Sequence, residues 1–286
     1  MALDAGLDRD DVLRIVRTAL DEDLRYGPDV TTAATVPHDA VATASVVSRQ
    51  PGIVAGLDIG LLVLDEVIGA HGYEITDRVA DGARVGPGQR VLTMTAPARG
   101  LLTAERTMLN LVCHLSGIAT TTAAWVDAVA GTDCRIRDSR KTLPGLRAVQ
   151  KYAVRVGGGV NHRMGLGDAA LIKDNHVVAA GSVVEALRAV RSAAPDVACE
   201  VEVDSLEQLD AVLGQQVELV LLDNFPLWQT QAAVQRRNAV SPRTKLESSG
   251  GLGLEVAVDY ARTGVDYLAV GALTHSVRVL DLGLDM

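Results

Sequence analysis

The sequence is poor in aromatic residues, with a single Phe and aromatic side chains at only 3% of its positions. Proteins that bind single-stranded nucleic acid use aromatic rings as stacking platforms, and phosphate backbones call for a broad basic surface. This chain instead carries a formal net charge of −9. Both features argue against general nucleic-acid binding.

Cysteine is also scarce, and long apolar runs are missing. Cys113, Cys134 and Cys199 form no C-x-x-C pair, which argues against a structural zinc site and predicts reduced thiols. No apolar run approaches the roughly 18 residues that a membrane-spanning helix needs. The acidic start MALDAGLDRDD does not resemble a secretory signal. We therefore predict a cytoplasmic protein with no membrane partner.

Glycine-rich nucleotide motifs are missing as well. The GGG at residues 157–159 is not followed by G-K-S/T, and GLGDAA, which begins at Gly165, leads into a predicted strand rather than a helix. The chain therefore contains neither a P-loop nor a dinucleotide fingerprint.

The first part of the chain mixes helices and strands. Apolar residues at helical spacing in DDVLRIVRTALDEDL predict an amphipathic helix with Asp10 near its N-cap. Strands such as ATASVVS and RVLTMTA then surround the helix DIGLLVLDEVIGA. From Leu101 to Val129 the pattern is helical again, and we predict a break near Gly117.

The second part alternates six strand patterns with amphipathic helices. The strands are CRIRDS, AALIKD, CEVEVD, ELVLLDN, TKLESS and YLAVGA. This alternation predicts parallel β/α units, although six are too few for a complete eight-stranded barrel. The predicted fold class is α/β, with an N-terminal α/β domain at residues 1–115, an open, incomplete parallel β/α barrel at 116–275 and a C-terminal tail at 276–286.

Positive charge is concentrated in one stretch of this acidic chain. Between Arg135 and Lys173, nine Lys and Arg residues stand against two acidic ones. Arg147, Lys151 and Arg155 follow helical spacing, so we interpret them as a solvated helix face. The others that stand out lie at strand ends or in glycine-rich connections, where a small anion is a better explanation; these are Arg140, Lys141, Arg163 and Lys173.

Each predicted strand ends on polar or glycine residues. They are Arg140 and Lys141, Lys173 and Asp174, Glu202 and Asp204, Asp223 and Asn224, Glu247 to Gly251, and Gly271. For one strand, such residues simply mark where it meets solvent, but six in succession favour a functional face, because parallel strands in a barrel end on the face that holds active sites. The connections SSGGL and VGALTHS also have the small residues that let phosphate approach backbone amides.

The presence of Glu202 and Asp223 favours an enzyme over a protein that only binds an anion. Two carboxylates beside a phosphate-binding face repel the ligand unless a divalent cation lies between them or the substrate becomes positively charged during the reaction. Oxygen ligands together with phosphates suit Mg²⁺. A ribosyl cation that forms as diphosphate leaves accounts for the acids, the metal and the basic residues together.

Several long motifs carry a family resemblance. They are EDLRYGPDVTT, LTAERTMLNLVCHLSGIAT, RDSRKTLPG, GGGVNHRMGLGDAALIKDNH, EVEVDS, LLDN, LESSGG and VGALTHS. In this order the chain resembles the quinolinate phosphoribosyltransferases along nearly its full length. The resemblance implies an N-terminal α/β domain, an open seven-stranded α/β barrel and a homodimer, with a higher oligomer left open. It also implies that quinolinate and phosphoribosyl diphosphate react with Mg²⁺ to give nicotinate mononucleotide, diphosphate and CO₂.

The resemblance also implies the site residues. For quinolinate they are Arg140, His162, Arg163 and Lys173, with Arg106 from the other subunit. For phosphoribosyl diphosphate they are Ser139, Lys141, Glu202, Asp223, Ser249, Gly250 and Gly271. Glu202 and Asp223 are also the metal ligands, and with Lys141 they are the catalytic residues. Ser139 replaces an expected Thr but keeps the hydroxyl. His275 fits a phosphate contact and a plain surface position equally well.

Two alternatives come from the residues alone. Lys173 lies at a strand end among basic neighbours, which is also the setting of a Schiff-base lysine in an aldolase-like barrel. A non-catalytic protein that senses dicarboxylates or phosphosugars would use the same cations, although Glu202 and Asp223 argue against it.

Overall fold

The structure, a computed structural model, describes residues 6–286, so the start of the acidic N-terminal segment lies outside the described residues. The chain divides into two compact units. The first contains the described part of residues 1–123 together with residues 142–158 and 273–286, and the second contains residues 124–141 and 159–272.

The first unit contains both helices and antiparallel strands. Its elements are α1 (Arg9–Leu24), α2 (Val30–Thr35), β1 (Val41–Ser48), β2 (Gly52–Ile53), α3 (Leu57–Ile68), β3 (Glu74–Arg78), β4 (Arg84–Val85), β5 (Arg90–Pro97), most of α4 (Ala98–Ala128), α5 (Arg147–Val156) and β12 (Leu282–Asp285). The four-stranded sheet has the order β12-β1-β5-β3, and β2 pairs with β4. Residues 273–286 belong to this unit because β12 pairs with β1.

The predicted N-terminal helix is present as α1. Asp8 is the N-cap of α1, because its side chain accepts hydrogen bonds from the backbone N–H groups of Asp10 and Asp11. Asp10 lies in the first turn, near the N-cap, as predicted. Val12, Ile15, Val16 and Leu20 are buried on one face of α1, which packs against α3.

The predicted break at Gly117 was wrong, because α4 is continuous from Ala98 to Ala128. A Cβ atom at Gly117 would collide with the backbone at Arg278 and Val279. The glycine therefore permits a close approach of two chain segments and does not interrupt the helix.

The predicted solvated face of α5 was also wrong. Lys151 is completely buried, and Arg147 and Arg155 are half-buried. Spacing along a helix shows which side chains share a face, but it does not show whether another element covers that face.

The second unit contains a parallel sheet. Its strands are β6 (Arg135–Arg137), β7 (Ala170–Ile172), β8 (Cys199–Val203), β9 (Leu219–Asp223), β10 (Lys245–Ser249) and β11 (Tyr267–Ala269). Its helices are α6 (Asp174–Ala180), α7 (Val183–Ala193), α8 (Leu206–Leu213), α9 (Leu227–Val240) and α10 (Ala257–Arg262), with a short 3₁₀ turn at Leu254–Val256. The four-residue helix α11 (Ala272–His275) begins at the last residue of this unit.

The sheet order is β6-β11-β10-β9-β8-β7, and every pair is parallel. All six predicted strands are present. Because β6 and β7 are the two edges, the barrel is open, as predicted. Val160 adds a single parallel bridge to Arg137 beyond the six strands.

Strand residues alternate between two chemical types. Val201, Val220, Leu222, Leu246 and Leu268 are at most 2% exposed and form an apolar layer. The residues between them include charged and polar side chains: Glu200, Glu202, Asp223, Glu247, Ser249 and Tyr267. Since successive strand residues point to opposite faces, the second set lies on the other face of the sheet.

None of the helices within residues 6–286 is long and apolar enough to cross a membrane.

Candidate active site

Most of the predicted site residues lie at one edge of the parallel sheet. Glu202 lies near the end of β8, Asp223 ends β9 and Ser249 ends β10, and Asp223 is the register partner of Ser249. Lys173 directly follows β7, and Gly271 and the segment 139–141 begin two residues after the ends of β11 and β6. This edge holds the carboxyl ends of the strands, as the sequence predicted.

Lys173 and Glu202 are in direct contact. The Lys173 Nζ lies 2.7 Å from Glu202 Oε2, and the Lys173 side chain is 45% exposed. This pair joins a residue predicted to bind quinolinate to one predicted to bind phosphoribosyl diphosphate and metal.

Arg140 and Arg163 are close enough for their positive charges to act on each other. Burial and the nearby positive charge of Arg140 lower the pKa of Arg163, although Asp168 and Glu200 oppose the shift. Arg140 Nε is buried and has no hydrogen-bond partner among residues 6–286. We refer to Arg140, Arg163 and Lys173 as the cationic site. Like charges repel, so this arrangement favours a bound anion.

A tight turn follows β10. Gly250 has φ +111° and Gly251 has φ +59°, conformations that favour glycine. A Cβ atom at Gly250 would also collide with the Asn224 side chain. Asn224 donates its side-chain amide to Asp223 Oδ2 at 2.8 Å and its backbone N–H to the Ser249 carbonyl at 2.9 Å. The turn therefore lies directly against the end of β9, with its backbone accessible.

Asp138 organises the segment that carries His162 and Arg163. Its carboxylate is completely buried and accepts the His162 backbone N–H at 2.8 Å and the Asn161 side-chain amide at 2.5 Å. Sequence reasoning counted Asp138 only as an acid in a basic stretch. The sequence did contain a signal for Asp138: it directly follows a strand, and it is one of only two acids in a stretch with nine basic residues.

A second charged cluster lies inside the sheet face. Arg137 donates from NH1 to Glu247 Oε2 at 2.7 Å and lies 3.9 Å from Glu200 Oε2. His162 Nε2 lies 2.9 Å from Glu200 Oε2 and 3.8 Å from Glu247 Oε1. We refer to Arg137, His162, Glu200 and Glu247 as the interior network. The sequence did not point to Glu200, and it marked Glu247 only as a polar residue near a strand end, because the contacts between them depend on which strands are neighbours.

The interior network has shifted pKa values. Burial, opposed by Arg137, raises the pKa of Glu200 to about 7. Burial, together with the charge of Glu200, raises the pKa of Glu247 to about 7. Burial acts against the Arg137 charge, but Glu247 and Glu200 outweigh it and raise the pKa of Arg137.

A cavity of about 850 Å³ reaches the interior network. It is lined by Arg137, His162, Arg163, Glu200 and Tyr267, and also by residues at the starts of β8, β9 and β10. Arg137 lies over the Tyr267 ring, 4.9 Å from its centroid. The interior of this sheet is therefore polar rather than filled by branched apolar side chains.

Two residues considered from sequence lie in the first unit. Arg106 is exposed on α4. His275 ends α11, and its Nδ1 lies 2.6 Å from Ser276 Oγ. Their contribution to a site stays a prediction.

Two family models match nearly the whole chain. The quinolinate phosphoribosyl transferase N-terminal domain matches residues 29–116, and the C-terminal domain of the same family matches residues 118–285.

Relatives and solved structures agree with these matches. The nicotinate-nucleotide pyrophosphorylase [carboxylating] of Mycobacterium leprae is 72% identical over 271 residues, or 95% of each chain. A probable nicotinate-nucleotide pyrophosphorylase [carboxylating] of Bacillus subtilis is 40% identical over 85% of this chain and 83% of its own length. The solved nicotinate-nucleotide pyrophosphorylase from Francisella tularensis superimposes with a TM-score of 0.91 at 36% identity, covering 98% of this chain and 97% of the other.

Proposed function

The chain belongs to the quinolinate phosphoribosyltransferase family, and on this premise we propose that its cationic site binds quinolinate beside a phosphoribosyl diphosphate site at the strand ends. The enzyme transfers the phosphoribosyl group to quinolinate with loss of CO₂, giving nicotinate mononucleotide and diphosphate. Membership in this family also removes the support for an aldolase or a sensor.

The observation that carries the site assignment is the proximity of Arg140 and Arg163. Quinolinate has two carboxylates, and guanidinium groups bind carboxylates through paired, charge-assisted hydrogen bonds. The buried, unpaired Nε of Arg140 and the lowered pKa of Arg163 both favour an anion between them. Lys173 supplies a third cation, and the buried His162 side chain forms the inner wall of the quinolinate site.

The phosphoribosyl diphosphate site uses the remaining strand ends. Lys141 neutralises diphosphate charge, while the turn at Ser249 and Gly250 and the backbone N–H at Gly271 donate hydrogen bonds to phosphate oxygens. Ser139 supports this end of β6, where its Oγ accepts the Lys141 backbone N–H at 3.1 Å.

Glu202 and Asp223 stabilise the positive charge that develops on the ribose carbon as diphosphate leaves. Once the pyridine nitrogen is ribosylated, the cationic ring accepts the electrons that the departing CO₂ leaves behind. The chain therefore needs no organic cofactor for the decarboxylation.

Mg²⁺ fits the same two carboxylates. They lie on the shared face of neighbouring parallel strands, and Mg²⁺ in phosphate sites is held by one or two carboxylates together with substrate oxygens. When bound there, Mg²⁺ neutralises charge on the diphosphate. Glu202 and Asp223 would hold the ion, and Lys173, which contacts Glu202 at 2.7 Å, would bind quinolinate beside it.

The direct test is to incubate the purified protein with quinolinate and phosphoribosyl diphosphate, with and without Mg²⁺. We expect nicotinate mononucleotide and CO₂ in equal amounts, and only when Mg²⁺ is present. Product formation from nicotinate at the same efficiency would contradict the quinolinate site.

The homodimer is part of this proposal, with Arg106 completing the quinolinate site of the partner subunit. Its exposure on α4 leaves it available for such a contact. We also retain the predicted cytoplasmic location, which the three free thiols support.

Subunit mixing tests the role of Arg106. Inactive Arg106→Ala subunits and inactive Lys141→Ala subunits, dissociated and reassembled together, should regain roughly a quarter of wild-type activity, because about half the dimers are mixed and each has one intact site. If tagged mixed dimers form and activity does not return, Arg106 does not serve the neighbouring site.

A further inference from the structure

Glu200 is a carboxylate in a place where an anion-binding enzyme has no evident use for one. Its side chain is 5% exposed, and its charge is close enough to influence Arg163 and Lys173 of the cationic site. A buried negative charge there opposes quinolinate binding unless it has a compensating structural role.

The hydrogen bonds of His162 define that role. His162 Nδ1 accepts the backbone N–H of Arg163 at 2.7 Å, so in the neutral ring the proton is on Nε2. Nε2 lies 2.9 Å from Glu200 Oε2. The ring is therefore held from both sides: one nitrogen fixes the backbone of Arg163 and the other donates to Glu200.

We propose that Glu200 is a positioning residue for quinolinate binding, which acts by fixing the His162 ring and, through it, the backbone at Arg163. This inference rests on the proposed role of Arg163 in binding quinolinate. Glu200 does not touch the substrate. It holds the residue that anchors the start of the Arg163 side chain.

Arg137 and Glu247 make this arrangement tolerable inside the protein. Arg137 lies 2.7 Å from Glu247 and 3.9 Å from Glu200, so one guanidinium partly neutralises both acids. Tyr267 packs against the same guanidinium. The carboxylate of Glu200 can therefore accept a hydrogen bond from His162 without standing as an isolated buried charge.

The test compares Glu200→Leu, which removes the acceptor, with Glu200→Gln, which keeps an acceptor oxygen. We expect Glu200→Leu to raise the KM for quinolinate about tenfold, with kcat and the KM for phosphoribosyl diphosphate changed less than about threefold. Glu200→Gln should restore most of the quinolinate KM. Glu218 is an exposed acid that lines the same cavity, so Glu218→Leu and Glu218→Gln are matched controls and should resemble wild type.

Nuclear magnetic resonance of ¹⁵N-labelled histidine gives a second readout that does not depend on activity. The wild-type His162 ring should show the Nε2–H tautomer with a slowly exchanging ring proton. That proton should be retained in Glu200→Gln and exchange rapidly in Glu200→Leu. An Nδ1–H tautomer in the wild-type protein would overturn the inference even if Glu200→Leu does not fold.

An Arg163→Ala variant separates this inference from the proposed function. If Arg163→Ala leaves the quinolinate KM unchanged, the proposed site fails. If Arg163→Ala raises it and a folded Glu200→Leu does not, the site stands and the positioning role of Glu200 is wrong.

Discussion

Arg137 and Arg163 are two half-buried arginines in the same compact unit, and their pKa values move in opposite directions. Against the effect of burial, Glu247 and Glu200 raise the pKa of Arg137, whereas burial and Arg140 lower that of Arg163. Arg137 already has its counter-charge within the protein. Arg163 lies near another cation, Arg140, and a bound anion is favoured where two cations act on each other. Within one unit, a cation stabilised by neighbouring acids indicates structural support, whereas two cations that destabilise each other indicate an anion-binding site.

The largest effect is expected when the interior network is broken. At pH 8, Arg137→Met should lower the free energy of unfolding by about 3 to 5 kcal/mol, because the completely buried Glu247 is ionised there and loses the cation beside it. Urea unfolding measures this change. A second substitution, Glu247→Leu, should recover much of the loss. If Arg137→Met is as stable as the wild-type protein, the Arg137–Glu247 contact does not stabilise the fold.

The acids at the strand ends should behave differently from the buried ones. Glu202→Gln and Asp223→Asn are expected to lower kcat by about 10²- to 10³-fold with little change in the quinolinate Kd, because they act on charge that appears only in the transition state. Rapid-quench kinetics and calorimetry separate the two quantities. Asp204→Asn, an exposed acid one residue beyond β8, is the control. Turnover near the wild-type rate in both variants would remove the assigned role.

Removing one cation of the cationic site should affect ligand binding more than the fold. Arg163→Ala is expected to raise the quinolinate Kd roughly 10- to 150-fold, the loss that accompanies one charge-assisted hydrogen bond. Thermal unfolding should show a much smaller loss of stability than in Arg137→Met. A larger loss of stability in Arg163→Ala than in Arg137→Met would contradict the distinction between the cationic site and the interior network.

A smaller effect concerns pH. Burial, then the charge of Glu200, raises the pKa of Glu247 from 4.5 to about 7. Between these values the folded state holds the proton and the unfolded state has lost it. The stabilisation is therefore complete below about pH 4.5 and is lost as the pH rises through about 7.

We expect the unfolding free energy of the wild-type protein, relative to Glu247→Gln, to fall by about 2 kcal/mol between pH 5 and pH 8. Urea titrations at each pH measure this difference. A difference that stays nearly constant over the same interval would mean that Glu247 is held as a carboxylate by Arg137 throughout.

The strand ends could be predicted from the sequence, whereas the interior network could not. The strands and their polar ends follow a local pattern, so the parallel sheet and the placement of Glu202, Asp223 and Ser249 at one edge were predicted. The interior network depends on which strands become neighbours. Glu200 and Glu247 lie on different strands, with β9 between them, and meet across the face of the sheet.

Two further errors have the same origin. Lys151 follows the spacing of a solvated face and is completely buried, and Gly117 resembles a helix break but lies where another segment passes closely. In both cases a distant part of the chain decides the outcome. Local periodicity gives the type of element, whereas burial and close approach depend on tertiary packing.

The most direct test of anion binding by the cationic site is to compare quinolinate with nicotinate, which lacks the second carboxylate, by calorimetric titration. If the cationic site is balanced by the ligand, nicotinate should bind roughly 10- to 150-fold more weakly to the wild-type protein. In Arg163→Ala this difference should shrink. Equal affinity of the wild-type protein for both acids would contradict the account.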